Sequence, residues 1–321
     1  EQEGLGLDVV SGGELYTAKK AGFPMEKVYF HGNNKTPREL AEALEAGIKR
    51  IVVDNMHELK LLNEICAQKG IKSQIAVRVK PGVDAHTHNF IKTGQIDSKF
   101  GVALENGEVL EFAALCKKLE HIELVGLHCH IGSQIFDLKP FTETAEIMMN
   151  LLCELKEEFG IIITELNLGG GFGTKYTSED DPIEYSRYIE SVSAAVKKNC
   201  SEKGLEQPFM IMEPGRSIVA PAGLTLYTVG SVKDIENIRK YVAVDGGMFD
   251  NPRYALYEAK YTFLLANKAS ALKDEIVTVA GKCCESGDLI GVDVALPEAK
   301  PGDIMAVLAT GAYNYSMSMN Y

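Results

Sequence analysis

No apolar run in this sequence approaches the ~20 residues needed to cross a bilayer, so no helical membrane span is expected. No pair of Cys-x-x-Cys motifs occurs either. The seven cysteines are odd in number and scattered, which is the pattern of reduced thiols in a cytosolic setting and not of a disulfide framework or a structural zinc site. Positive charge is scarce: 33 Lys and Arg stand against 45 Asp and Glu, a net charge of −12. That balance argues against nucleic acid or an anionic membrane surface as partner, while local arginines can still hold a small anionic ligand. The first residues, EQEGLGLDVV, lack the basic-then-apolar form of a secretory signal. A cytoplasmic protein of enzyme size is the expectation.

What is present is ordinary globular material, 321 residues of which 45% are hydrophobic and 24% charged, and two domains are the default at this length. Short apolar runs alternate with helical stretches over the first two-thirds. The runs are GLDVVS (6–11), KVYFHG (27–32), RIVVDN (50–55), QIAVRV (74–79), ELVGLHCHIG (123–132), ITELNLGGG (163–171) and FMIMEPG (209–215). Between the second and third, TPRELAEALEAG has Thr36 as N-cap, Pro37 at the first helical position and Gly47 at the end. Strands apolar on both faces and alternating with helices imply a buried parallel sheet. Polar and glycine-rich residues follow the C-terminal ends of the strands, the address of the active site in a (β/α)8 TIM-type barrel and equally in a doubly wound open sheet. A count of seven, opening on a helix-like stretch, reads as a barrel whose first βα unit is missing. From about residue 220 the pattern turns to short β-rich runs, LTLYTVGSVK, KYVAVDGG, EIVTVAGKC and DIMAVLATGAY, read as an antiparallel β domain. The expected division is residues 1–220 and 221–321.

Several motifs carry chemistry. LNLGGGFG (166–173) puts three glycines directly after a strand, either a tight βα turn or a backbone that lets a phosphate approach its N–H groups. It is neither a Gly-x-Gly-x-x-Gly fingerprint nor a P-loop. MEPGRS (212–217) ends the next strand with Glu213, a turn and Arg216, whose guanidinium can grip phosphate or carboxylate. In GLHCHIGS (126–133), His128 and His130 share one face of a strand and Cys129 takes the other. A His-x-His pair can chelate zinc, but no acidic third ligand lies nearby in sequence, and ring stacking or a buried structural histidine fits better. HTHNFIKTGQIDSKFG (86–101) repeats His-x-His in a long polar loop. NPRYALY (251–257) and TGAYNYS (311–317) place Arg253, Tyr257 and Tyr313 in the second domain.

Taken together, HTHNFIKTGQIDSKFG, GLHCHIGSQI, LNLGGGFG, EPGRSIVA, VDGGMFDNPRYALY, CCESGD and TGAYNYSMSMNY closely resemble the diaminopimelate branch of the fold-type III pyridoxal-phosphate decarboxylases. These are relatives of ornithine and arginine decarboxylases and of alanine racemase. The resemblance implies a barrel plus a β domain, working as a homodimer with shared active sites. It implies pyridoxal 5'-phosphate as cofactor and decarboxylation of meso-2,6-diaminopimelate to L-lysine, the last step of lysine biosynthesis. It would place Gly170, Gly171, Gly215 and Arg216, after Pro214, around the phosphate with help from Ser133. It would stack His130 on the pyridine ring, set Glu213 on the pyridine nitrogen and leave Arg78 near the ring. Arg216, Arg253 and Tyr257 would hold the distal carboxylate, Glu285 the distal amine, and Tyr313 substrate and phosphate. No metal is implied. Tyr254 stands where these enzymes usually have proline, which leaves Arg253 and Tyr257 in register.

The Schiff-base lysine of such enzymes belongs to a YAxKAN-like segment on the first barrel strand, and no such segment occurs among these residues. Lys19 and Lys20 lie on the wrong helix to substitute. The expectation is an active parent enzyme, a chain inactive by itself, and a C-terminal domain that stops short of the usual end. The alternatives are a related decarboxylase acting on arginine or carboxynorspermidine, or a non-catalytic homologue. The adjacent cysteines of GKCCESGD (281–288) suit neither a metal knuckle nor a redox pair, with no second Cys/His cluster beside them. On an extended segment Cys283 would be a small buried hydrophobe. By the resemblance, Cys284 would be the proton donor, and Asp288 would pair with Lys99 of a second subunit.

Overall fold

The structure, a computed structural model, describes residues 2–83 and 97–321. The His86–His88 motif and Thr93-Gly94-Gln95 lie outside the described residues. Two compact units emerge, Glu1–Gly171 with Ile183–Glu213, and Phe172–Pro182 with Pro214–Tyr321.

The first unit runs β1 (Leu7–Val9), α1 (Gly12–Lys20), β2 (Val28–Phe30), α2 (Pro37–Ala46), β3 (Arg50–Val53), α3 (Met56–Lys69), β4 (Ser73–Lys80), β5 (Val102–Ala103), α4 (Glu108–Cys116), β6 (Ile122–His128), α5 (Lys139–Phe159), β7 (Glu165–Asn167), α6 (Tyr185–Lys203) and β8 (Phe209–Ile211). All seven strands read from the sequence are present, parallel and in chain order β1-β2-β3-β4-β6-β7-β8. The two-residue β5, too short to leave a pattern, pairs with β4. Every residue of β3 is buried, as a strand covered on both faces requires. Local chemistry sets the helix ends. Thr36 and Glu39 form a reciprocal capping box around Pro37, and Gly47 closes α2 in the left-handed conformation. Lys19 and Lys20 fall in the last turn of α1, exposed.

The sheet is curved, and one ion pair shows it. Arg50 of β3 grips Glu165 of β7 bidentately, Nε–Oε2 at 2.9 Å and Nη2–Oε1 at 2.8 Å. Strands three places apart in a flat sheet would stand roughly 14 Å away from each other. A sheet curling towards a barrel brings the two side chains together without stretching them along its surface. The ends of its strands converge for the same reason.

The second unit holds α7 (Gly215–Val219), β9 (Leu224–Ile235), β10 (Arg239–Val244), α8 (Arg253–Tyr257), β11 (Phe263–Leu265), β12 (Glu275–Ala280), β13 (Leu289–Leu296) and β14 (Ile304–Leu308). The sheet order is β11-β14-β9-β10-β12-β13. It is not wholly antiparallel, because β10 and β12 pair in parallel. The chain leaves β10 through α8 and β11 before β12, so it re-enters the sheet in the same direction. Val229, Val242, Val279, Ile290, Leu296, Met305 and Val307 form the core. No helix among the described residues is long and apolar enough to cross a membrane.

Lys35 is the one lysine among the described residues that is buried. Its ammonium donates to Glu58 Oε1 (2.7 Å), Val52 O (2.7 Å) and Gly32 O (2.8 Å). All three protons are used, tying the loop after β2 to strand β3 and helix α3. Removing one member of a buried pair leaves an uncompensated charge, at a cost of about 3–5 kcal/mol. Lys35→Met is therefore expected to lower unfolding free energy by about that amount in urea titrations. Lys35→Met with Glu58→Met should regain a large part; a double variant as unstable as the single would contradict this account.

Candidate active site

The C-terminal ends of four strands deliver one polar cluster in the first unit. His31 follows β2, His128 ends β6, Asn167 ends β7 and Glu213 follows β8. His128 Nε2 stands 3.2 Å from Glu213 Oε1, and His31 Nε2 stands 3.4 Å from the same oxygen. Asn167 Nδ2 donates to it at 2.7 Å. His31 Nε2 is also 3.4 Å from Asp8 Oδ1. The two imidazoles meet edge to face at 4.8 Å. The acidic neighbour missing from the sequence around His128 is therefore supplied by Glu213, 85 residues on and two strands away in the sheet. His31, His128 and Glu213 lie close enough together to hold a metal ion.

Electrostatics set the protonation states. Burial pushes the His128 ring down to about 3, so it is neutral at pH 7. For Glu213 burial acts to raise and the closeness of His128 and His31 to lower, and the net direction is below the ordinary carboxylate range. The buried His31 Nε2 and both ring nitrogens of His128 lack a hydrogen bond.

The glycine run is threaded between two strand ends. Gly170 N donates to His130 Nδ1 at 3.2 Å, which places the ring proton on Nε2. A Cβ on Gly170 would lie 2.0 Å from Glu213 O, so only glycine fits there. Gly169 N is held by Asn167 Oδ1 at 2.9 Å, and Gly169 O accepts from Glu213 N at 2.9 Å. Gly171 O accepts from Ile135 N at 2.9 Å, and Ser133 sits half-buried in the same loop. Arg78, near the end of β4, is buried with its guanidinium 4.2 Å from the Phe100 ring centroid.

The second unit holds Arg216 and Arg253. Arg216 Nη1 donates to Tyr176 Oη at 3.0 Å, and its guanidinium lies 4.5 Å from the Tyr313 ring. Arg253, at the start of α8, is buried and donates from Nη1 to Tyr261 Oη at 2.9 Å. Tyr257 ends the same short helix, one turn on and facing the same way. A Cβ on Gly215 would meet nothing within 4 Å, so internal packing does not explain this glycine.

The loop 281–288 is shaped by Asp288. Its buried carboxylate accepts from Met248 N (2.6 Å) and Cys283 N (2.8 Å), which occupies both oxygens within its own unit. Lys99, in the first unit, lies with its ammonium 4.9 Å from the Phe100 ring. The loop is turned and not extended, and this corrects the reading of Cys283: it is half-buried and not a core residue. Cys284 and Glu285 are exposed.

Comparison with known proteins places this geometry. Residues 1–220 match the model for the pyridoxal-binding domain of pyridoxal-dependent decarboxylases. The chain is 53% identical over 321 residues to a diaminopimelate decarboxylase of Bacillus subtilis, spanning all of this chain and 73% of that one. It is 54% identical to the enzyme of that name from Bacillus methanolicus, spanning 74% of it. The chain belongs to the diaminopimelate decarboxylase family. The crystal structure of a diaminopimelate decarboxylase from M. jannaschii in co-complex with L-lysine superposes with a TM-score of 0.89 at 39% identity, covering 98% of this chain and 71% of that one.

The residues fit the cofactor of this family. A protonated pyridine nitrogen needs an ionised carboxylate, and Glu213 is kept ionised. His31 and Asn167, absent from the sequence reading, stand with it. The rule that polar residues after strand ends line the site covers both, but it gives no hint that they meet. Folded His128 takes a proton only near 3, against an ordinary 6.5. Its stabilising effect is complete above pH 6.5 and is lost as pH falls towards 3. The unfolding free energy should fall between pH 7 and 5, and His128→Gln should make that fall shallower by up to about 1.4 kcal/mol per pH unit in urea titrations at each pH. Identical slopes in the two proteins would contradict the assignment.

Proposed function

We propose that the protein decarboxylates meso-2,6-diaminopimelate to L-lysine and CO2 with pyridoxal 5'-phosphate. The observation that carries this reading is the Glu213 carboxylate set among His31, His128 and Asn167 at a strand end, the kind of partner a pyridinium nitrogen requires. Gly170, Gly171, Ser133, Pro214, Gly215 and Arg216 hold the phosphate, His130 packs on the ring and Arg78 lies by it. When bound, the protonated ring supplies an electron sink for the pair left behind as CO2 departs.

The remaining work falls to the side chains. Arg216, Arg253 and Tyr257 grip the distal carboxylate, and Glu285 takes the distal amine, so the reacting carboxylate is the other one. Tyr313 touches substrate and phosphate. Cys284 holds the proton that replaces the lost carboxylate on the α-carbon. Its exposure, together with that of Glu285, is what a loop closed over by a second subunit would show, and the working form is a cytoplasmic homodimer.

Substrate profiling tests the assignment. Diaminopimelate should be turned over, and arginine and carboxynorspermidine should not. In the full-length holoenzyme Cys284→Ala should lower kcat about 10²–10⁴-fold with little change in KM. Full-speed lysine formation by that variant would remove Cys284 from the reaction. Arg253→Met should lower kcat/KM roughly tenfold to a hundredfold, the worth of a hydrogen bond to a charged group; unchanged kcat/KM for diaminopimelate would take the distal carboxylate away from Arg253.

A further inference from the structure

Tyr176 touches both arginines of the second unit. Its hydroxyl accepts from Arg216 Nη1 at 3.0 Å, and its ring centroid lies 4.3 Å from Arg253 Cζ. Tyr261 completes the seat of Arg253, with its ring 5.1 Å from the same carbon and standing edge to face on Tyr176 at 5.5 Å. The Tyr261 hydroxyl donates in turn to Asn314 Oδ1 at 3.4 Å.

The backbone of Tyr176 is itself pinned. Its N–H donates to Asp180 Oδ2 at 3.0 Å, and its carbonyl accepts from Thr262 Oγ1 at 2.8 Å. The side chain is 5% exposed and belongs to the core of the unit. A phenol ring held this firmly can fix what rests on it.

Arg253 is 5% exposed, and no described carboxylate pairs with it. Its Nε has no hydrogen-bond acceptor. Aromatic faces offset part of the cost of a buried cation, but they do not neutralise it. A buried guanidinium with a vacant N–H and no internal counter-charge is one prepared for an anion from outside the chain.

We propose that Tyr176 is a positioning residue that sets the orientation of the Arg216 and Arg253 guanidiniums and so creates the preference for a substrate with a distal carboxylate. The proposal rests on the reading that these arginines take that carboxylate. The phenol orients Arg216 through its oxygen and Arg253 through its face, so the two contacts can be removed separately.

The test uses the full-length holoenzyme and the binding of L-lysine and 1,5-diaminopentane, which differ by that carboxylate alone. Tyr176→Phe keeps the ring and loses the hydroxyl; Tyr176→Leu loses both. KM for diaminopimelate should rise about tenfold in the first and roughly 30- to 100-fold in the second, with kcat nearly unchanged. The preference for L-lysine over 1,5-diaminopentane, measured by calorimetry, should shrink in the same order. A role confined to packing would leave that preference intact, and an intact preference in Tyr176→Phe overturns the proposal even if the leucine variant fails to fold. If the unaltered enzyme binds both amines equally, the carboxylate reading of the arginines falls, and Tyr176 with it.

Discussion

A carboxylate held ionised at the end of the partly exposed strand β8 governs the first unit. Burial opposes the charge on Glu213. Two histidine rings and an asparagine amide, delivered by β2, β6 and β7, overcome that opposition. The group can form only if the sheet curls, because its members come from strands that a flat sheet would keep apart. Arg50 and Glu165 record the same curvature near the other end of the strands. The glycine run follows from this constraint as well, since the chain after β7 must pass within van der Waals distance of the Glu213 carbonyl.

The second unit solves the opposite problem, the placing of positive charge. Its arginines rest on tyrosine rings and phenol oxygens. Around Arg253 such partners orient the guanidinium without cancelling its charge. Asp288 has the complementary task in the loop 281–288. Two backbone N–H groups bind it, so it shapes a turn that presents Cys284 and Glu285 outward. Buried charge thus serves structure where it is paired internally, as in Lys35–Glu58.

The fold was largely legible. Short apolar runs ending in glycine or polar residues located all seven parallel strands, and Thr36, Pro37 and Gly47 marked the bounds of α2. β5 was not legible because two residues carry no period. The parallel pairing of β10 with β12 was hidden too, because an apolar strand reads the same in either direction. In the site, Glu213, His130 and Arg216 announced themselves through motifs beside strand ends. His31, Asn167 and Tyr176 did not, because each lies in an unremarkable local context and acquires its partners from distant elements.

The sequence by itself determined the alternation of strands and helices, the positions of the helix caps and the inventory of charged and glycine-rich strand ends. These depend on neighbours within a few residues, through periodicity, capping and backbone sterics. Tertiary structure alone decided which of those side chains share a charge. Curling of the sheet brought His31 and His128 to Glu213, and packing of 172–182 into the second unit laid one tyrosine against two arginines. Proximity of that kind depends on the path of the whole chain, which no local pattern encodes.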